Sequence, residues 1–125
     1  MKMLTIDDSA VVRTIIKEAV WTLGHECIEA EDAEDALKIL SELDYNFDLI
    51  FLDWNMPGMS GIEFLKILKL DIKHNSTPVM MVTSEGTSGS IVEAIKEGAS
   101  HYIVKPFSTE DLLKKILECL GKGVL

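Results

Sequence analysis

Positive charge is scarce in this chain. It carries 12 Lys and Arg against 21 Asp and Glu, for a net charge of −9. That balance argues against nucleic acid as a direct partner, because phosphate binding wants Lys and Arg. It favours cationic ligands, metal ions included. Cysteine is nearly absent: the 2 present, Cys27 and Cys119, lie far apart and form no CxxC. That excludes a disulfide framework or a Cys-built metal site and leaves two buried, reduced thiols in a cytosolic protein as the expectation. No apolar run is long enough to span a bilayer, and the start (Met1-Lys2-Met3-Leu4-Thr5-Ile6) runs straight into an acid pair rather than a signal peptide. Repeats, low-complexity tracts and linkers are missing too. What is there is 125 residues, 47% hydrophobic and 26% charged. This composition fits one globular domain spanning 1–125, with no output domain expected after the last helix.

The hydrophobic pattern alternates between strand-like and helix-like runs. Lys2 to Ile6 reads as a strand ending at Asp7-Asp8. A helix follows from Ser9 to Leu23, with Val12, Ile15, Ile16, Ala19 and Leu23 on its inner face and Gly24 as its stop. Glu26 to Ala30 is a strand. Asp32 caps a helix running to about Leu43, with Ala36, Leu40 and Leu43 on one face. Leu49 to Leu52 is a third strand, ending at Asp53; Asn55, Pro57, Gly58 and Gly61 then break the chain. Ser60 and Glu63 are spaced as a capping box for a helix through Leu70. Pro78 to Val82 is an unbroken apolar run, as suits a strand covered on both faces. Ser84 to Gly89 reads as a loop. Ile91, Ala94 and Ile95 mark a helix stopped by Gly98, and Tyr102 to Val104 is a fifth strand. Ser108 or Thr109 caps a last helix whose Leu113, Ile116, Leu117 and Leu120 face inward.

A strand–helix pair repeated five times gives an α/β fold: a parallel sheet with helices on both faces. Right-handed crossovers leave few topologies, and the flavodoxin-like (βα)5 order 2-1-3-4-5 fits best. Ligands in such sheets sit at the carboxyl ends of the strands, at the switch point between strands one and three. Asp7 and Asp8, Asp53, Thr83 and Lys105 all fall on that edge. Taken singly each has a plain reading: the acids as helix caps, Thr83 as a strand-end cap, Lys105 as a surface lysine. Together they do not. At about 4 Å and an effective dielectric of about 20, each pair of carboxylates repels by roughly 4 kcal/mol. Either one acid takes a proton or a cation sits among them. Oxygen ligands completed by water suit Mg²⁺. Lys105 is a point charge for a phosphate, and Thr83 a hydroxyl donor to a phosphoryl oxygen. Pro106 makes a cis bond available that would turn Lys105 inward; the sequence leaves the isomer open.

Asp7-Asp8, Asp53 followed by Met56-Pro57-Gly58, Thr83, and Lys105-Pro106-Phe107 together resemble the receiver domain of two-component response regulators, over essentially the whole chain. The resemblance implies that Asp53 accepts a phosphoryl group from a sensor histidine kinase. It implies that Asp8, Asp53 and the backbone carbonyl of Asn55 bind Mg²⁺, with Asp7 acting through water, and that Lys105 and Thr83 hold the phosphoryl oxygens. Thr83 and Tyr102 match the family's switch pair. Asn55 and Glu85 stand where an attacking water must pass and are expected to tune the lifetime of the phosphoryl group. Trp54 is expected to report Mg²⁺ through its fluorescence. The readout face would be the fourth helix, fifth strand and fifth helix, which carry Lys96, Lys114 and Lys115. Asp53-Trp54-Asn55-Met56-Pro57 and Thr83-Ser84-Glu85 are similar to the family's stand-alone chemotaxis members. That likeness implies a CheA-like kinase and a flagellar motor switch component as partners, in the cytoplasm, with the unphosphorylated chain a monomer. A relay passing phosphate to a histidine phosphotransfer protein stays open. A haloacid-dehalogenase-type phosphohydrolase would want a second acid two residues after its nucleophile, where this chain has Asn55. A flavodoxin-like electron carrier would want a Ser/Thr/Gly-rich loop in place of Asp7-Asp8. His25, His74 and His101 show no metal-ligand spacing and read as surface or strand-edge histidines.

Overall fold

Apolar runs of four or five residues that cannot leave one face dry pair side by side and take helices on both faces. The computed structural model describes residues 1–43 and 46–121. Its elements are β1 (Lys2–Ile6), α1 (Ala10–Thr22), β2 (Glu26–Ala30), α2 (Ala33–Glu42), β3 (Leu49–Leu52), α3 (Gly61–Leu70), β4 (Val79–Thr83), α4 (Ser88–Lys96), β5 (His101–Val104) and α5 (Thr109–Cys119). The five strands form one parallel sheet in the order β2-β1-β3-β4-β5. Burial follows that order. β3 and β4 are buried at every position, whereas β2 and β5 are partly exposed, as edge strands must be.

Alternation along each central strand divides the core in two. Leu4, Ile6, Ile50, Leu52 and Met81 pack with Ala36, Leu40, Phe64, Leu65 and Leu68 of α2 and α3. Met3, Leu49, Phe51, Met80 and Val82 pack with Ile16, Val20, Leu112 and Ile116 of α1 and α5. Burying a side chain the size of Phe51 or Phe64 stabilises by roughly 1.5–3 kcal/mol, so the sheet is held from both sides.

Each helix begins at a side-chain cap. Ser9, Asp32, Ser60, Thr87 and Ser108 accept from Val12, Asp35, Glu63, Ser90 and Asp111 N–H groups in turn. Ser60 also donates to Glu63 Oε1 at 3.2 Å, closing the capping box by side chains.

Several expectations are corrected. α4 starts at Ser88, so Gly89 lies inside the helix rather than in a loop; the Thr87 cap and the 2.8 Å bond from its hydroxyl to Ser90 Oγ outweigh the poor propensity of Ser-Gly-Ser. β4 runs Val79–Thr83, one residue along from the Pro78–Val82 run, with Thr83 at its end as expected. Ile15 faces solvent and Val20 the core, while Leu112, not Leu113, is the fully buried leucine of α5. His74 is buried: turns closed by its N–H to the Asp71 carbonyl and by Thr77 N–H to its own carbonyl fold the α3–β4 connection inward. Cys27 and Cys119 are free but half-buried, not buried, and burial pushes both thiols up to about 12.

Candidate functional site

The strand ladders continue one residue past the strands, and at three places that extra residue is one the sequence reading placed in the site. Asp7 N–H donates to the Ala30 carbonyl at 3.2 Å, Asp53 N–H to Ile6 at 3.0 Å, and Lys105 N–H to Thr83 at 2.9 Å. The backbones of Asp7, Asp53 and Lys105 are therefore fixed by the sheet while their side chains emerge at its carboxyl edge, around the switch point between β1 and β3.

There Asp7, Asp8 and Asp53 bring carboxylate oxygens within 4.8 Å of one another. Asp7 and Asp53 are buried and Asp8 is exposed. Lys105 Nζ stands 2.9 Å from Asp7 Oδ2 and 3.4 Å from Asp53 Oδ2. The Lys105-Pro106 bond is cis. Burial pushes the Asp7 carboxyl above the ordinary carboxylate value, against the pull of the Ser9 N–H bonded to it and of Lys105. Burial pulls the Lys105 ammonium down, but Asp7 and Asp53 outweigh it and hold the ammonium above the ordinary lysine value. Three carboxylates against one ammonium leave two negative charges and a spare set of hard oxygens, which fits a small divalent cation such as Mg²⁺.

The β4–α4 loop borders the cluster and is tied to it through Glu85. Asn55 Nδ2 donates to Glu85 Oε1 at 2.9 Å, and Glu85 N–H donates to Thr83 Oγ1 at 3.3 Å. The Tyr102 hydroxyl donates to the Glu85 carbonyl, so its ring already stands in against the loop. Thr83, Glu85, Asn55 and Tyr102 are thus one connected set beside Asp53. His25, His74 and His101 are no part of it.

Gly61 supports the site in a way the sequence does not reveal. A Cβ on Gly61 would fall 2.0 Å from the Asp53 carbonyl oxygen, and Gly61 N–H donates to the Trp54 carbonyl at 2.8 Å. Gly61 lets α3 start directly against the backbone of Asp53. The sequence marks Gly61 as a chain breaker, whereas it is the first residue of α3.

A family model described as response regulator receiver domain matches residues 3–117. The chain belongs to that family. This receiver is 39% identical over 124 residues to a Chemotaxis protein CheY homolog of Campylobacter jejuni, covering 98% of this chain and 95% of that one. It is 42% identical over 117 residues to Chemotaxis protein CheY of Pseudomonas aeruginosa, covering 93% of each. The solved chemotaxis response regulator CheY4 of Vibrio cholerae superposes with a TM-score of 0.88 at 34% identity, covering 95% of this chain and 98% of that one. The 2-1-3-4-5 strand order is the one known for CheY. No helix of this receiver, among the described residues, is long and apolar enough to cross a membrane.

Proposed function

We propose that this receiver is a phosphorylation-activated switch of the CheY type, in which Asp53 takes a phosphoryl group from a histidine kinase in the presence of Mg²⁺. The observation that carries the reading is the unbalanced charge of the cluster: three carboxylates converge and one ammonium answers them. Asp8, Asp53 and the Asn55 carbonyl would hold the cation, with Asp7 acting through water. Bound there, Mg²⁺ supplies positive charge against the transferred oxygens.

The chain's own residues do the rest. Asp53, held by the ladder bond to Ile6, presents its carboxylate without reorganising, and in-line placement supplies much of the rate. Lys105 moves from balancing Asp7 and Asp53 to balancing the phosphoryl oxygens. Thr83 accepts from Glu85 N–H, which leaves its own hydroxyl proton free to donate to the phosphoryl group. Glu85 and Asn55, bonded to each other, screen the approach of water and so set the lifetime of the acyl phosphate.

Movement of Thr83 toward the phosphoryl group reaches Tyr102 through Glu85, and from there α4, β5 and α5. That face is less basic than its lysines suggest, since Lys114 and Lys115 pair with Glu110 and Glu118. Its exposed apolar residues, Val92, Ile95 and Val104, suit a partner helix better. The chemotaxis names of the relatives support a CheA-like kinase and a flagellar motor switch component as the partners, in the cytoplasm. Its chemistry is self-modification rather than turnover of a substrate, so it is a signalling protein and not an enzyme.

Incubation with a labelled small phosphodonor and Mg²⁺ tests this. Stoichiometric label, absent from Asp53→Ala, is the expected result. Multiple turnover of the donor at a rate that survives Asp53→Ala would overturn it. Capture of a motor-switch component by the phosphorylated form alone is expected to follow; capture of a histidine phosphotransfer protein in its place would favour a relay.

A further inference from the structure

Arg13 lies on α1, and its guanidinium bonds the backbone of Asp7 rather than the carboxylates of the cluster. Its guanidinium is mostly covered and makes two charge-assisted bonds. Nη1 donates to the backbone carbonyl of Asp7 at 2.7 Å, and Nε donates to Glu29 Oε1 at 2.7 Å. Glu29 Oε2 accepts from Lys17 Nζ at 2.6 Å. Glu29, on β2, therefore orients Arg13 with one carboxylate oxygen, and Lys17 pairs with the other. The chain of contacts ends on the peptide that joins Asp7 to Asp8.

That peptide is where the site most needs support. Asp7 is held on both sides, by its N–H on the Ala30 carbonyl and by its carboxylate on the Ser9 N–H. Asp8 is exposed, so its position depends on the backbone it hangs from. Of the bonds above, only Arg13 restrains the plane of the Asp7–Asp8 peptide from outside the turn. The planar fork of arginine suits this, because it spans a carbonyl and a carboxylate at once.

We propose that Arg13, oriented by Glu29, is a positioning residue for the metal site: by holding the Asp7 carbonyl it fixes the peptide that carries Asp8 and sets how well the acids converge on a divalent cation. The proposal rests on the reading of Asp8 and Asp53 as Mg²⁺ ligands. Charge and position pull in opposite directions here. Arg13 is a cation near an acidic cluster, so charge alone predicts that deleting it tightens Mg²⁺ binding. Positioning predicts that deleting it weakens binding.

The test is a calorimetric Mg²⁺ titration of the full chain, wild type against Arg13→Met and Lys17→Met, with amide hydrogen exchange at Asp8 and Ser9 measured without metal. Both variants remove one positive charge beside Glu29, and methionine keeps the apolar stem. Only Arg13→Met removes the bond to the Asp7 carbonyl. The expected result is Mg²⁺ affinity about tenfold weaker in Arg13→Met, from loss of a charge-assisted hydrogen bond, with faster exchange at Asp8 and Ser9. Lys17→Met is expected to match wild type or bind slightly tighter. Unchanged or tighter binding in Arg13→Met, or equal weakening in both variants, overturns the proposal while leaving the metal site standing. Absence of Mg²⁺ binding in the wild type overturns the metal site itself. If Arg13→Met does not fold, Arg13→Lys carries the same test, since it keeps the charge but not the fork; affinity equal to wild type contradicts the proposal.

Discussion

Lys105 stands between two buried acids, and its removal leaves them facing each other. Lys105→Met is expected to lower stability by about 2 kcal/mol in metal-free buffer, with the loss shrinking when Mg²⁺ is added. Denaturant melts with and without Mg²⁺ measure this, and a loss that grows with Mg²⁺ contradicts it. The same contact has a pH signature. The folded-state value of Lys105 is raised above the ordinary 10.5, so its contribution is complete below that pH and is lost as pH rises through the folded value. The wild-type advantage over Lys105→Met is expected to vanish only in strong alkali; a fall between pH 7 and 9 contradicts the assignment. Gly61 answers to geometry rather than charge. Gly61→Ala forces the start of α3 away from the Asp53 carbonyl, is expected to cost about 3 kcal/mol, and is expected to slow phosphorylation. A variant with wild-type stability and rate would show that α3 adjusts freely. At this scale the acids, Thr83 and Lys105 were legible because each ends a strand and strand ends meet on one edge. Gly61, Arg13 and His74 were not. The approach of Gly61 to the Asp53 backbone, the bond from Arg13 to the Asp7 carbonyl and the turns that bury His74 depend on how the backbone folds around each residue, which the residue types alone do not encode.

Among the elements, the β4–α4 loop is tied to its surroundings through Glu85. Glu85 receives Asn55 on its side chain and Tyr102 on its carbonyl, and it donates its N–H to Thr83. One residue therefore connects the β3–α3 loop, the end of β4, and β5. Glu85→Ala and Asn55→Ala break the same hydrogen bond, and both are expected to change the rate of phosphoryl loss in the same direction by several-fold. The double variant is expected to match the singles, as a shared contact requires. Decay rates of the phosphorylated protein measure this; additive effects would mean the two residues act separately. Element boundaries were the less legible part of the fold. The Gly-Ser run at Ser84–Gly89 carries both a loop and a helix start, and only the Thr87 cap decides where one becomes the other. The inward face of α5 was offset for a related reason: Leu112, Leu113, Ile116 and Leu117 offer two overlapping apolar stripes, and Leu112 and Ile116 are buried in the core while Leu113 and Leu120 pack partly buried against it.

For the whole molecule, burial decides which strands lie inside the sheet and which at its edges, and right-handed crossovers narrow the order further. Runs such as Leu49–Leu52 and Val79–Thr83 have no polar face to expose and must lie inside the sheet, whereas Glu26–Ala30 and His101–Val104 tolerate an edge. That order puts Asp7, Asp8 and Asp53 together, and the surplus of negative charge there is the basis of the function proposed. An acidic cluster repels a phosphodonor unless a cation intervenes, so acceptance at Asp53 is expected to depend on metal. The deciding measurement is the intact mass of the protein after incubation with a small phosphodonor, with Mg²⁺ and with a chelator, for wild type and Asp53→Asn. One phosphoryl group per chain, present only in wild type with Mg²⁺, is the predicted result. No added mass under any condition, or equal labelling with the chelator or in Asp53→Asn, would contradict it.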